Sequence, residues 1–167
     1  VKTEAEDKSP DFWLSQSNIL VEPPLKPEDI PCDKTVWEQR LKQYSAAFLR
    51  DPAIFSGSSG FGFQIARKSF VSSSGDKIAQ NSTTARIVVS GTIKAKDGME
   101  MPLIETYFAF SPARLAADDR VMADIDVLVK NLVALREAPT AEPYSGPALL
   151  SGKAAGVFFH EIFGHRI

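Results

Sequence analysis

Val89-Ser90-Gly91-Thr92-Ile93-Lys94-Ala95-Lys96-Asp97-Gly98 is the stretch on which the fold turns. Val89, Gly91, Ile93 and Ala95 alternate with Ser90, Thr92, Lys94 and Lys96, the period-two pattern of a strand with one buried face. Asp97-Gly98 is a strong two-residue hairpin turn, so Met99 to Phe110 is expected to return antiparallel to it. Upstream, Phe61 to Ser72 reads as a further strand closed by Ser74-Gly75-Asp76. Ser56-Gly57-Ser58-Ser59-Gly60 reads as a plain turn, because it lacks the Lys-Ser/Thr ending and the following helix of a phosphate-cradling loop. From Ile54 to Phe110 an antiparallel meander results, and its apolar face has to be covered.

Helices supply the cover. Thr35-Val36-Trp37-Glu38 fits a capping box, in which a hydroxyl and a carboxylate satisfy free amides of a first turn. Trp37, Leu41, Tyr44 and Phe48 then recur at helical spacing until Asp51-Pro52, as core residues rather than a ligand box. Ser111-Pro112 opens a second helical region whose stripe is Val121, Ile125, Leu128, Leu132 and Leu135, ending at Ala138-Pro139. The expected fold class is α+β, an antiparallel β-sheet covered by helices.

The chain divides into three regions. Residues 1–34 carry Pro10, Pro23, Pro24, Pro27 and Pro31, so they are expected to be a connecting segment without regular structure, with Asp11-Phe12-Trp13-Leu14 as a local hydrophobic anchor. Residues 35–139 form the central α+β domain. Residues 140–167 begin another domain: Pro139 to Pro147 is a boundary, Ala148-Leu149-Leu150 a short strand, and Ser151 the N-cap of a helix through Phe163. That helix is apolar almost all round, which predicts burial in the parent protein. The chain starts at Val1 without an initiator methionine or signal peptide and stops in an apolar run, so it reads as a fragment of a larger multi-domain protein.

Composition narrows the function classes. The chain has 167 residues, with 19 Lys plus Arg against 21 Asp plus Glu and a net charge of -2. No overall electrostatic drive toward nucleic acid or anionic membranes exists. The single cysteine, Cys32, cannot pair within the chain. No apolar run is long enough to span a bilayer. Asn81-Ser82-Thr83 matches a glycosylation sequon of a kind common by chance.

The chemistry sits at the C-terminal end. Both histidines of the chain, His160 and His165, fall in its last eight residues and flank Glu161 in the pattern H-E-x-x-x-H. Chance placement would give that arrangement in roughly one chain in a thousand at ordinary composition. Imidazoles are preferred zinc ligands, and an adjacent glutamate can take a proton from a water acidified by the ion. These are the parts of a metal-assisted hydrolase; the plainer alternative is a pair of satisfied histidines near a helix end. On a regular helix, residues five apart lie about 140° around the axis and roughly 7.5 Å along it, so the two rings cannot converge. Convergence requires a bend at Gly164, either a π-type turn or a left-handed glycine.

The segment Tyr144-Ser145-Gly146-Pro147-Ala148-Leu149-Leu150-Ser151-Gly152-Lys153-Ala154-Ala155-Gly156-Val157-Phe158-Phe159-His160-Glu161-Ile162-Phe163-Gly164-His165-Arg166 strongly resembles the entry to the active site of TldD/PmbA metallopeptidases, the modulator of DNA gyrase family. Phe70-Val71-Ser72-Ser73-Ser74-Gly75 resembles that family's strand and turn, with Ser73 in place of its Asn and Ser74 in place of its Glu. Lys96-Asp97-Gly98 resembles its hairpin. The resemblance covers roughly residues 36–167, densely at the C-terminal end and diffusely elsewhere. It implies that His160 and His165 are metal ligands, for zinc or another divalent ion, and that Glu161 is the general base. It also implies a TldD-type subunit that cleaves small or unfolded peptides and pairs with a PmbA-type partner subunit or as a homo-oligomer; the expected location is cytoplasmic, and the charge balance and apolar pattern give no expectation of direct nucleic-acid or membrane contact. The family's third ligand is a cysteine far downstream, beyond Ile167, and Cys32 lies at no matching position. The competing expectation is a non-catalytic scaffold that docks a partner subunit, its metal motif vestigial.

Overall fold

The computed structural model describes residues 18–167, so the Asp11-Phe12-Trp13-Leu14 anchor lies outside the described residues. The elements run β1 (Ile19–Val21), α1 (Lys34–Phe48), β2 (Ile54–Val71), β3 (Lys77–Lys94), β4 (Glu100–Ala109), α2 (Asp118–Glu137) and α3 (Gly152–Phe159), with short 3-10 turns at Pro27–Asp29 and Pro112–Arg114. The fold is α+β: a four-stranded mixed sheet with α1 and α2 on one face.

β3 is the centre of the sheet. It pairs antiparallel with β2 over its whole length and with β4 over Ala85 to Lys94. The Asp97-Gly98 hairpin forms as the sequence requires: Gly98 has a φ of 90°, and the Ala95 amide donates to the Met99 carbonyl at 2.9 Å. The turn after β2 likewise closes at Gly75, with a φ of 93° and its amide donating to the Ser72 carbonyl at 3.1 Å. Only glycine enters such conformations without steric cost.

Ser56 to Gly60 is not a turn. Those residues lie inside β2, with Gly57 opposite Gly91 and Ser59 opposite Val89, and the one irregularity is a bulge between Ile54 and Ser56. The glycines are there for packing. A Cβ on Gly57 would lie 2.4 Å from Phe48 Cβ, and one on Gly91 would lie 2.6 Å from Phe48 Cδ1 and 2.8 Å from Leu132 Cδ1. The paired glycines thus make a trough into which the Phe48 ring settles, fully buried. Ser59 is satisfied beneath α1, its hydroxyl donating to the Leu41 carbonyl at 2.7 Å and sharing a 2.8 Å hydrogen bond with the Ser45 hydroxyl.

The core is the contact zone of the two helical stripes with this face. Trp37, Tyr44 and Phe48 from α1 and Val121, Ile125, Leu128 and Leu132 from α2 meet Ile54, Ile87, Val89 and Ile93. Trp37 stacks flat on Phe61, with centroids 3.8 Å apart. Leu135 is 40% exposed, since the α2 stripe outruns the sheet by a turn. Tyr44 ties the helices together by donating its hydroxyl to Asp118, which also pairs with Arg40 at 3.3 Å. Burial, and then that hydrogen bond, push the Tyr44 phenol well above its usual range.

Two expectations about the start of the chain are corrected. Residues 1–34 do contain regular structure, because Ile19 to Val21 pairs parallel with Lys77 to Ala79. The prolines flank this strand without entering it, and polar contacts secure the residues after it. Glu22 Oε2 accepts from the Asn81 backbone amide at 2.6 Å, the Pro23 carbonyl accepts from Asn81 Nδ2 at 2.7 Å, and Arg67 donates to the Glu22 carbonyl at 2.8 Å. The sequon amide is therefore already bonded inside the sheet. The second correction concerns the cap of α1: the N-cap is Asp33, not Thr35, and its Oδ1 accepts from the Thr35 amide at 2.8 Å and the Val36 amide at 3.3 Å. A carboxylate two residues earlier outcompetes the hydroxyl as acceptor for the orphan amides of the first turn. Asp33→Ala is accordingly expected to destabilise the protein by about 1 kcal/mol, while Thr35→Ala changes little, as thermal unfolding of the two variants will show.

Candidate metal centre

From Pro139 to Leu150 the chain forms neither helix nor strand. Ala148-Leu149-Leu150 forms no strand, contrary to expectation, and Leu149 is fully exposed. Without a neighbouring strand, alternation alone cannot make a ladder. Ser151 does cap α3, its hydroxyl accepting from the Ala154 amide at 3.4 Å.

α3 touches the sheet through an ion pair, Lys153 to Glu105 of β4. Nearby, Tyr107 donates to Asp124 Oδ2 at 2.9 Å and Arg120 donates to the same atom at 2.8 Å. Desolvation pushes the Asp124 carboxyl up, but the bonds from Arg120 and Tyr107 outweigh it, and its pKa falls below the usual value. Among the described residues the terminal helix is left uncovered. Val157, Phe159 and Phe163 are each more than 60% exposed, and among the described residues no element covers them. A helix apolar all round needs surfaces on several sides, and the sheet offers α3 only one carboxylate.

The geometry at its end answers the spacing problem. α3 gives way to a π turn over His160–Gly164. The His165 amide donates to the His160 carbonyl at 3.2 Å, a bond across five residues instead of four. This wider ring absorbs the extra residue of H-E-x-x-x-H, so that His165 stands over His160 with ring centroids 4.5 Å apart at 74°. The left-handed alternative at Gly164 is not used, since among the described residues only Gly75 and Gly98 have positive φ. A Cβ at Gly164 would lie 3.6 Å from His160 Nδ1, an ordinary contact distance, so the packing does not require glycine here.

One donor atom each from His160, Glu161 and His165 lies within 4.8 Å of the others, and all three side chains are exposed. A tetrahedral zinc ion holds donors about 3.3 Å apart, so these exposed side chains would have to rotate closer together to share one. The donor set of two imidazoles and a carboxylate suits zinc or a similar divalent cation. Cys32 belongs to no such cluster among the described residues; it lies at the start of α1, where burial and the neighbouring Asp33 raise its thiol pKa. Glu161 as a donor within reach of both imidazoles is what spacing alone does not show, since its direction depends on the π turn.

Among the described residues no helix is long and apolar enough to cross a membrane. Comparison of the chain with protein-family models, with curated proteins and with solved structures finds no match.

Proposed function

We propose that this chain supplies the metal-binding helix of a TldD-type metallopeptidase, in which His160 and His165 hold a divalent ion and Glu161 is the general base. The π turn over His160–Gly164 carries this reading, because it brings together two imidazoles that a regular helix would hold apart. His160 and His165 would hold the ion, which when bound would supply Lewis acidity for a peptide carbonyl and lower the pKa of water. Glu161 is bonded in sequence to His160, and its carboxylate oxygen takes the proton from the attacking water and passes it to the leaving amine nitrogen. Lys153 orients the helix on Glu105. The substrate class is small or unfolded peptides, and a PmbA-type subunit is the proposed partner.

Metal titration tests the proposal directly. With two solvent-exposed imidazoles as its protein ligands, the chain is expected to hold zinc weakly, and His165→Ala is expected to remove even that, while Cys32→Ser leaves it unchanged. Calorimetric titration of the three proteins with zinc provides the check. Tight stoichiometric zinc that survives His165→Ala would place the ion elsewhere.

A further inference from the structure

The face of the sheet turned away from α1 and α2 carries the even-numbered residues of β3, β4 and, beyond its bulge, β2. Gly62, Arg86 and Phe108 stand there in one cross-strand row, since Gly62 pairs with Arg86 and Arg86 with Phe108. Gln64 and Thr84 form the adjoining row, and these five residues, together with Phe63, border a cavity of about 350 Å³. That volume lies in the range of small-ligand sites. Internal packing does not account for the lining. Arg86 is exposed, and among the described residues it enters no ion pair. The carboxylate that β4 contributes to this face, Glu100, is taken by Lys94 at 3.5 Å, at the far end of β3. Phe108 is 53% exposed, its ring edge-on to Phe110 with centroids 5.2 Å apart. Gly62 is not held to glycine by a neighbour as Gly57 and Gly91 are, because a Cβ there would meet nothing within 4 Å. A glycine inside a strand costs stability and marks a place where a ligand or another backbone comes close.

We propose that this cavity binds the free C-terminal end of a peptide whose last residue is aromatic. Arg86 offers the planar fork that a carboxylate accepts in a bidentate pair. The ligand's ring packs against Phe108, which stands one strand away from Arg86, about 4.8 Å across the sheet. The Gln64 amide and the Thr84 hydroxyl each donate and accept, so they suit the N–H and C=O of the last peptide group. Gly62 leaves room for that backbone to come down onto the sheet. Every polar group of the lining thus has a counterpart on one ligand. The cavity is separate from the candidate metal centre: Glu105, which holds Lys153 of α3, pairs with Val89 of the core and so lies on the opposite face. Binding here does not depend on an ion at His160 and His165.

Isothermal titration calorimetry of the whole chain with N-acetyl-phenylalanine tests the site. A Kd of about 1 mM is expected for a ligand of this size. N-acetyl-phenylalanine amide, which lacks the carboxylate, and N-acetyl-alanine, which lacks the ring, should each bind about tenfold more weakly or worse. Arg86→Gln should weaken N-acetyl-phenylalanine by a similar factor, and circular dichroism should match the wild type because the side chain is exposed. Gly62→Val separates binding from folding. Its side chain enters the cavity and meets nothing of the fold, so binding should fall about tenfold while the thermal midpoint stays at or above that of the wild type. His165→Ala should bind as the wild type does, which keeps a failure here distinct from a failure at the metal centre. Phenyl phosphate is the second arm, and it is expected to bind more weakly than N-acetyl-phenylalanine; tighter binding would overturn the carboxylate assignment in favour of a phosphate. Equal binding of the amide overturns the proposal, as does binding that survives both Arg86→Gln and Gly62→Val. So does the absence of saturation at about twenty times the expected Kd.

Discussion

Glu161→Gln, made in the assembled peptidase, is expected to lower peptide hydrolysis by about 100- to 10,000-fold, the usual contribution of a general base. The amide keeps the shape of the side chain and loses the ability to accept a proton. His160 and His165 are untouched, and the π turn rests on backbone bonds, so metal content should stay close to that of the parent protein. Measuring metal by atomic emission alongside turnover separates the two roles open to this carboxylate. Activity and metal falling together would make Glu161 a ligand, which its position within 4.8 Å of both imidazoles permits. Undiminished turnover would remove it from the chemistry altogether.

Phe48→Ala is expected to cost about 3–5 kcal/mol, a large share of the roughly 5–15 kcal/mol that holds a domain folded. The ring is fully buried, and the trough beneath it is made of two glycines that have no side chains with which to fill the space. Collapse around the cavity is therefore poor, which puts the cost toward the upper end of the range. The same geometry predicts coupling. Gly91→Ala should be strongly destabilising with Phe48 in place, where its Cβ would lie 2.6 Å from the ring, and less so in the Phe48→Ala background, where only the 2.8 Å approach to the Leu132 side chain remains. Urea unfolding of the four proteins of this cycle should give a coupling energy of about 1–3 kcal/mol with similar m-values. Additive effects would mean that Phe48 and Gly91 do not share the contact.

Where the determinants are local, the sequence is a sufficient guide. Asp97-Gly98 makes its hairpin from its own torsions, and the α1 and α2 stripes declare their buried faces through Trp37, Tyr44, Val121 and Ile125. The five-residue histidine spacing demands a departure from the α-helix, and the π turn is one of the two departures that suffice. Determinants lying elsewhere in the chain are not legible in this way. Gly57 reads as a turn residue because its reason for being glycine is a phenylalanine nine positions earlier. β1 leaves no mark because three residues between prolines carry no period, and what makes them a strand is Lys77 to Ala79. Asp33 and Thr35 compete to cap the same first turn, and composition alone does not rank them. The burial expected of α3 depends on a neighbour that the described residues do not include.

The π turn also bears on how such a site could be built. A five-residue ring is a helix with one residue more than it needs, so removing a single residue between His160 and His165 would yield the four-residue spacing of the common H-E-x-x-H helix. Both imidazoles would still face one point. The wider ring already absorbs the extra residue, so the two motifs are separated by one insertion that leaves both ligands on one side of the helix.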